Sequence, residues 1–94
     1  MTLEYANKKI IDAYKDAIRR IEMTEKQIEI SSGWAFKSVW SNHLDQIVAE
    51  YRAAADMVVE IYIEITSGNG WRELSNMRFD LEKELRKLVD DIRD

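Results

Sequence analysis

Apolar residues recur along this chain at alternating steps of four and three, the spacing of an amphipathic helix. The pattern runs through three segments and predicts helices at about 3–30, 34–66 and 71–92. In the middle segment the rhythm is unbroken at these positions: Trp40, Leu44, Ile47, Tyr51, Ala54, Val58, Ile61 and Ile65. We expect this stripe to face the core.

Two short polar segments separate the predicted helices, and between them they hold all three glycines. They are Ser31-Ser32-Gly33 and Ser67-Gly68-Asn69-Gly70. Gly33 and Gly68 are positioned to end a helix, and the side chains of Ser32 and Asn69 to cap the next one. No proline interrupts the chain. We therefore predict one domain, residues 1–94, that folds as an all-α, antiparallel three-helix bundle with long helices.

The segment 59–66 also fits a β-strand, because it alternates in polarity and is rich in β-branched residues. The helical rhythm passes through the same residues over a much longer stretch. We predict a helix there and keep the strand as the alternative.

The second predicted helix is longer than the third, roughly 48 Å against 34 Å at about 1.5 Å per residue. The third helix would therefore end level with about Leu44 and leave the first two turns of the second uncovered. Aromatic residues are enriched in interface hot spots, so we predict that a partner binds here, at Trp34, Phe36, Val39 and Trp40. The alternative is that these rings close the end of the bundle over Ile28, Ile30 and Ile92.

Helix 2 carries further apolar residues beside its main stripe. A face this wide is typical of a helix that also contacts another subunit. We predict a homo-oligomer and assign self-association to Met57, Val59 and Tyr62.

The net charge is −4, with acidic and basic residues mixed on every predicted helix. A net acidic domain argues against nucleic-acid binding, which relies on basic surfaces. Four pairs at i,i+4 are expected to stabilise exposed helix faces: Asp16 with Arg20, Glu22 with Lys26, Arg78 with Glu82, and Glu82 with Arg86.

The sequence offers little for catalysis. Carboxylates share helix faces in two groups, Glu22, Glu25 and Glu29, and Glu60 and Glu64. The Glu-Glu-x-x-Glu and Glu-x-x-Asp motifs of MazG-type pyrophosphatases are absent, as are cysteine and a phosphate-binding loop. His43 is the only histidine. We expect no enzyme activity, cofactor or metal site, and we expect the carboxylates to be solvated.

The longest apolar stretch is too short to span a membrane, and the N-terminus lacks the features of a signal peptide, so we expect a cytoplasmic protein. Its expected function is that of a non-enzymatic helical protein-interaction module, an inhibitor or an assembly adaptor, acting through an apolar and acidic helical surface. The alternative is a protein that binds or sequesters a small ligand, such as a nucleotide, between helices or subunits. The stacking candidates for such a ligand are Tyr5, Tyr14, Tyr62 and Trp71.

Overall fold

The computed structural model describes residues 1–31 and 37–93, with side chains for residues 1–30 and 39–93. Within these residues the chain forms three helices and no strand: α1 spans Leu3–Ser31, α2 spans Lys37–Thr66 and α3 spans Trp71–Arg93. The all-helical prediction is confirmed, and segment 59–66 is helical. The predicted start of α2 at residue 34 lies outside the described residues.

Helix α1 begins at a cap that the sequence pattern did not single out. The hydroxyl oxygen of Thr2 accepts a hydrogen bond from the backbone N–H of Tyr5 at 3.1 Å. This is the geometry of an N-cap residue, which satisfies one of the free amides in the first turn of a helix.

The turn between α2 and α3 depends on backbone conformations that glycine adopts easily. Gly68 and Gly70 have φ angles of 89° and 79°, in the left-handed region where a side chain causes strain. Asn69 does not cap α3 through its side chain as predicted. Its backbone carbonyl instead accepts a hydrogen bond from the Tyr62 hydroxyl, which ties the turn to the end of α2.

The three helices contact one another in every pairing and form a rod of 50 × 16 × 15 Å. Along α2, the residues Asp45, Arg52 and Asp56 form ion pairs with Arg93, Glu82 and Arg78 of α3, respectively. The end of α3 therefore lies beside the start of α2, close to the level of Leu44 that the helix lengths predicted.

The core side of α2 differs from the prediction after Tyr51. The predicted positions Ala54, Ile61 and Ile65 are exposed, and Val58 is only partly buried. The residues that enter the core are their neighbours Ala55, Val59 and Tyr62.

The spacing of buried residues explains this error. A strict four-three rhythm has about 3.5 residues per turn and drifts around a straight helix by about 20° per seven residues. Buried residues instead recur every 11 residues, or about 3.67 per turn, which follows a straight helix more closely. This spacing appears in all three helices: Ala6 and Ala17, Ile10 and Ile21, Val48 and Val59, Tyr51 and Tyr62, Leu74 and Leu85.

Several charged residues expected to pair within one helix instead bind across helices. Arg20 on α1 forms an ion pair with Glu50 on α2, and Arg78 on α3 pairs with Asp56 at 2.7 Å. Of the four predicted i,i+4 pairs, Glu82 with Arg86 is present at 3.5 Å. Among the described residues, no helix has a stretch long and apolar enough to cross a membrane.

Candidate functional site

The start of α2, predicted to bind a partner, is described only in part. Trp34 and Phe36 lie outside the described residues. Val39 is 60% exposed, whereas Trp40 is partly buried. The Trp40 ring meets the His43 ring edge-on, with centroids 6.3 Å apart. Of the two described residues, Val39 is therefore the more exposed, and its assignment to partner binding stays a prediction.

The three residues assigned to self-association do not share a surface. Val59 and Tyr62 are each 4% exposed within a single chain, and Met57 is 61% exposed. Val59 and Tyr62 belong to the core because the buried stripe of α2 passes through them. Of the three, only Met57 has a side chain that another molecule can reach, and self-association itself stays a prediction.

The shift of the buried stripe leaves a line of large apolar residues on the surface, which we call the α2 ridge: Met57, Ile61 and Ile65. Their exposed fractions are 61%, 37% and 61%. They occupy successive i,i+4 positions and therefore lie on one side of the helix. From Met57 to Ile65 the ridge is about 12 Å long, at about 1.5 Å per residue.

A groove between α1 and α2, which we call the α1–α2 groove, lies next to this ridge. Its volume is about 230 Å³. The lining residues are Ala13, Asp16, Ala17, Arg20, Ile47, Glu50, Tyr51 and Ala54. Three of them are alanines, whose small side chains leave the space open. Ala54 precedes Met57 by three residues and connects the groove to the ridge along α2.

The charged residues of the groove are already paired within the chain. Arg20 donates a hydrogen bond to Glu50, which holds the pKa of that carboxyl below its ordinary value, and Gln46 adds a second hydrogen bond in the same direction. Asp16 pairs with Arg19 at 2.6 Å.

The ridge has acidic residues on its flank and no cations near it in sequence. Glu60 and Glu64 each follow a ridge residue by three positions, are exposed, and make no hydrogen bond or ion pair within the described parts of the chain. No Lys, Arg or His occurs between Arg52 and Arg72, and the last turn of α2 has no basic residue. The negative end of the helix dipole adds to the negative potential there.

Within residues 1–31 and 37–93, no group of three or more His, Asp and Glu side chains is placed so that it could hold a metal ion. The carboxylates of Glu22, Glu25 and Glu29 are exposed, as are those of the ridge flank.

The four aromatic residues suggested for ligand stacking are placed in different surroundings. Tyr5 and Trp71 are exposed, Tyr14 packs edge-on against Tyr51 with ring centroids 6.5 Å apart, and Tyr62 is buried. None of the four lines the α1–α2 groove. The sequence pattern does not predict the groove. It depends on alanines from two helices, and no pattern within a single helix indicates that these alanines face each other.

No protein-family model matches this chain, and neither does any curated protein or solved structure.

Proposed function

We propose that this protein is a non-enzymatic helical interaction module, an inhibitor or an assembly adaptor, that binds a protein partner through the apolar and acidic surface of α2. The observation that carries the proposal is the α2 ridge, in which three large apolar side chains form one exposed line. Apolar patches rimmed by polar residues are typical of interaction sites. Burial of such a side chain stabilises a complex by roughly 1.5–3 kcal/mol before other costs.

Val39 is a second contact point within the same proposal. It lies on α2 about 27 Å before Met57, at about 1.5 Å per residue, and is 60% exposed. A partner that reaches both residues would have to extend along most of the bundle. We expect the α2 ridge to be the main contact and Val39 to be separable from it by mutation.

The proposal takes the helices as antiparallel, which the ion pairs between α2 and α3 support. Asp45, near the start of α2, pairs with Arg93 at the end of α3, and Asp56, further along α2, pairs with Arg78 nearer the start of α3.

Homo-oligomer formation stays part of the proposal. The molar mass measured by light scattering tests it.

The α1–α2 groove supports a second candidate function, the binding of a small ligand. At about 230 Å³ it is smaller than the roughly 300–1,000 Å³ of usual small-molecule sites, and this size favours one inserted side chain over a nucleotide. A thermal-shift screen with nucleotides and metabolites tests this candidate. A ligand that raises the Tm of the wild type but not of an Ala54→Leu variant would favour the small-ligand function.

The main proposal is tested by affinity capture from a lysate with matched variants. Ile61→Ser removes a ridge residue, and Leu88→Ser removes a residue of α3 with the same exposed fraction, 37%. We expect the wild type and Leu88→Ser to capture the same protein and Ile61→Ser to lose it, with unchanged helical circular dichroism in all three. Equal capture by Ile61→Ser and Leu88→Ser would contradict the proposal.

A further inference from the structure

We infer that the α2 ridge and the α1–α2 groove together bind one amphipathic helix of a different protein, whose apolar stripe is flanked by Lys or Arg residues. This inference rests on the proposed function and adds the chemistry of the partner to it. Three observations carry it: the shape of the site, the charge beside it, and the mismatch of that charge with a second copy of this chain.

The shape of the site fits a helix. The ridge continues along α2 from the end of a groove formed by two helices, and an amphipathic helix binds by placing its apolar face in such a groove. Ala13, Ala17 and Ala54 leave about 230 Å³ in the groove, which is room for a large apolar side chain of the partner. A helix that binds in this way uses residues at i, i+3, i+4 and i+7.

The charges that α2 itself carries beside the ridge favour a basic partner. Glu60 and Glu64 are exposed and have no partner among the described residues, whereas Glu50 in the groove is bound to Arg20. The end of α2 carries the negative end of the helix dipole, and its last turn holds no basic residue. Lys or Arg side chains flanking the partner's apolar stripe would meet this negative potential.

In a two-fold contact of ridge with ridge, a second copy of this chain does not offer the required cations. In a symmetric dimer the same patch is present on both subunits, and the α2 segment between Arg52 and Arg72 contains acidic residues but no cation. Two ridges in contact would therefore bring Glu60 and Glu64 of both copies together. A contact of the ridge with a different face of a second copy would be heterologous and would build a ring or an open chain of subunits, not a two-fold dimer.

The inference is tested with two synthetic helical peptides of 18 residues. Both have leucines at i, i+3, i+4 and i+7, and the flanking residues are lysines in one and glutamates in the other. Binding to the full chain is measured by fluorescence anisotropy at low and high salt. We expect the lysine peptide to bind at least about tenfold more tightly than the glutamate peptide, and this preference to shrink at high salt because exposed charges are screened.

Matched variants of the protein distinguish binding at the ridge from a general attraction between a cationic peptide and an acidic protein. Glu60→Lys with Glu64→Lys should weaken binding of the lysine peptide about tenfold. Glu22→Lys with Glu25→Lys makes the same change in net charge at exposed positions of α1 and should change the affinity less than twofold. Equal weakening by both double variants would overturn the inference.

The remaining outcomes distinguish the inference from the proposed function. Equal binding of both peptides, lost in Ile61→Ser, would overturn the basic-partner chemistry and leave the ridge as an interaction surface. If neither peptide binds but the wild type still captures a protein that Ile61→Ser loses, the basic-partner chemistry is likewise overturned and the ridge remains an interaction surface. Binding of neither peptide together with equal capture by Ile61→Ser would overturn both. A ridge-dependent dimer in sedimentation equilibrium would identify a second copy as the occupant and overturn the inference.

Discussion

Arg52 on α2 binds both carboxylate oxygens of Glu82 on α3, with its Nε and Nη2 atoms each 2.8 Å from one oxygen. The Glu82 side chain is only 9% exposed, whereas the Arg52 side chain is 53% exposed. Arg86 approaches the same carboxylate at 3.5 Å. A nearly buried acid is thus neutralised from the neighbouring helix, which fixes how α2 and α3 pack together.

Arg52→Ala should destabilise the fold clearly more than loss of a surface ion pair does, because it leaves the carboxylate of Glu82 nearly buried and held only by Arg86. Loss of one partner leaves a buried charge uncompensated, and the exposure of Arg52 reduces this cost. Arg19→Ala is the control, since Arg19 and Asp16 are both well exposed and such pairs contribute under about 1 kcal/mol. Urea unfolding at pH 7 measures both. Similar losses in the two variants would contradict the structural role of Glu82.

The stability of the protein should fall in acid partly through Glu82. Its hydrogen bonds with Arg52 hold the pKa of Glu82 below its ordinary value of 4.5. The unfolded chain therefore takes up a proton before the folded one does, and the free energy of unfolding decreases as the pH falls below about 4.5. Glu82→Gln should flatten this decrease, measured by urea unfolding between pH 3 and 6. An unchanged slope would show that Glu82 does not contribute.

Tyr51 should ionise far above the ordinary range of a phenol. Burial, followed by the charge of Glu82, raises the pKa of Tyr51 from 10.0 to about 12, and its hydroxyl donates a hydrogen bond to the Arg78 carbonyl at 3.0 Å. The favourable contribution of the neutral phenol is complete below pH 10 and is lost between about pH 10 and 12. An ultraviolet titration should contain one component near pH 12 that is absent from Tyr51→Phe. The same titration curve in the variant would contradict the burial of Tyr51.

The two faces of α2 should respond differently to truncation. Val59→Ala removes methyl groups from the core and should cost about 2 kcal/mol. Ile65→Ala removes a larger side chain from the surface and should change the free energy of unfolding by less than about 0.5 kcal/mol. Guanidinium unfolding of the pair gives the comparison. A greater loss of unfolding free energy in Ile65→Ala than in Val59→Ala would contradict this assignment and support the buried stripe that the four-three rhythm predicted.

The number of helices and most of their bounds follow from the sequence, because the apolar spacing and the glycine positions agree. The buried face of α2 does not follow from the sequence, and the reason is physical. After Tyr51 three of the four predicted core residues have an apolar neighbour that is buried in their place, as Val58 has Val59 and Ile61 has Tyr62, so two stripes compete for the core. Only packing against α1 and α3 decides between them, and two residues of the rejected stripe, Ile61 and Ile65, become part of the α2 ridge.

The ion pairs show a similar limit to prediction from sequence. Arg78 and Glu82 stand at the spacing of a pair within one helix, but Asp56 and Arg52 on α2 offer them partners across the helix interface. Local spacing predicts which residues can pair within a helix and contains no information about a competing partner on another helix.

The central claim, that a protein partner binds at the α2 ridge, is tested most directly by site-specific photo-crosslinking. A photoreactive residue is placed at position 61 on the ridge, 39 at the start of α2, or 88 on α3, and each folded protein is irradiated in a lysate. We predict one adduct of defined mass at position 61, a weaker one or none at 39, and none at 88. The same adducts at 61 and 88, or an adduct at 39 with none at 61, would contradict the account.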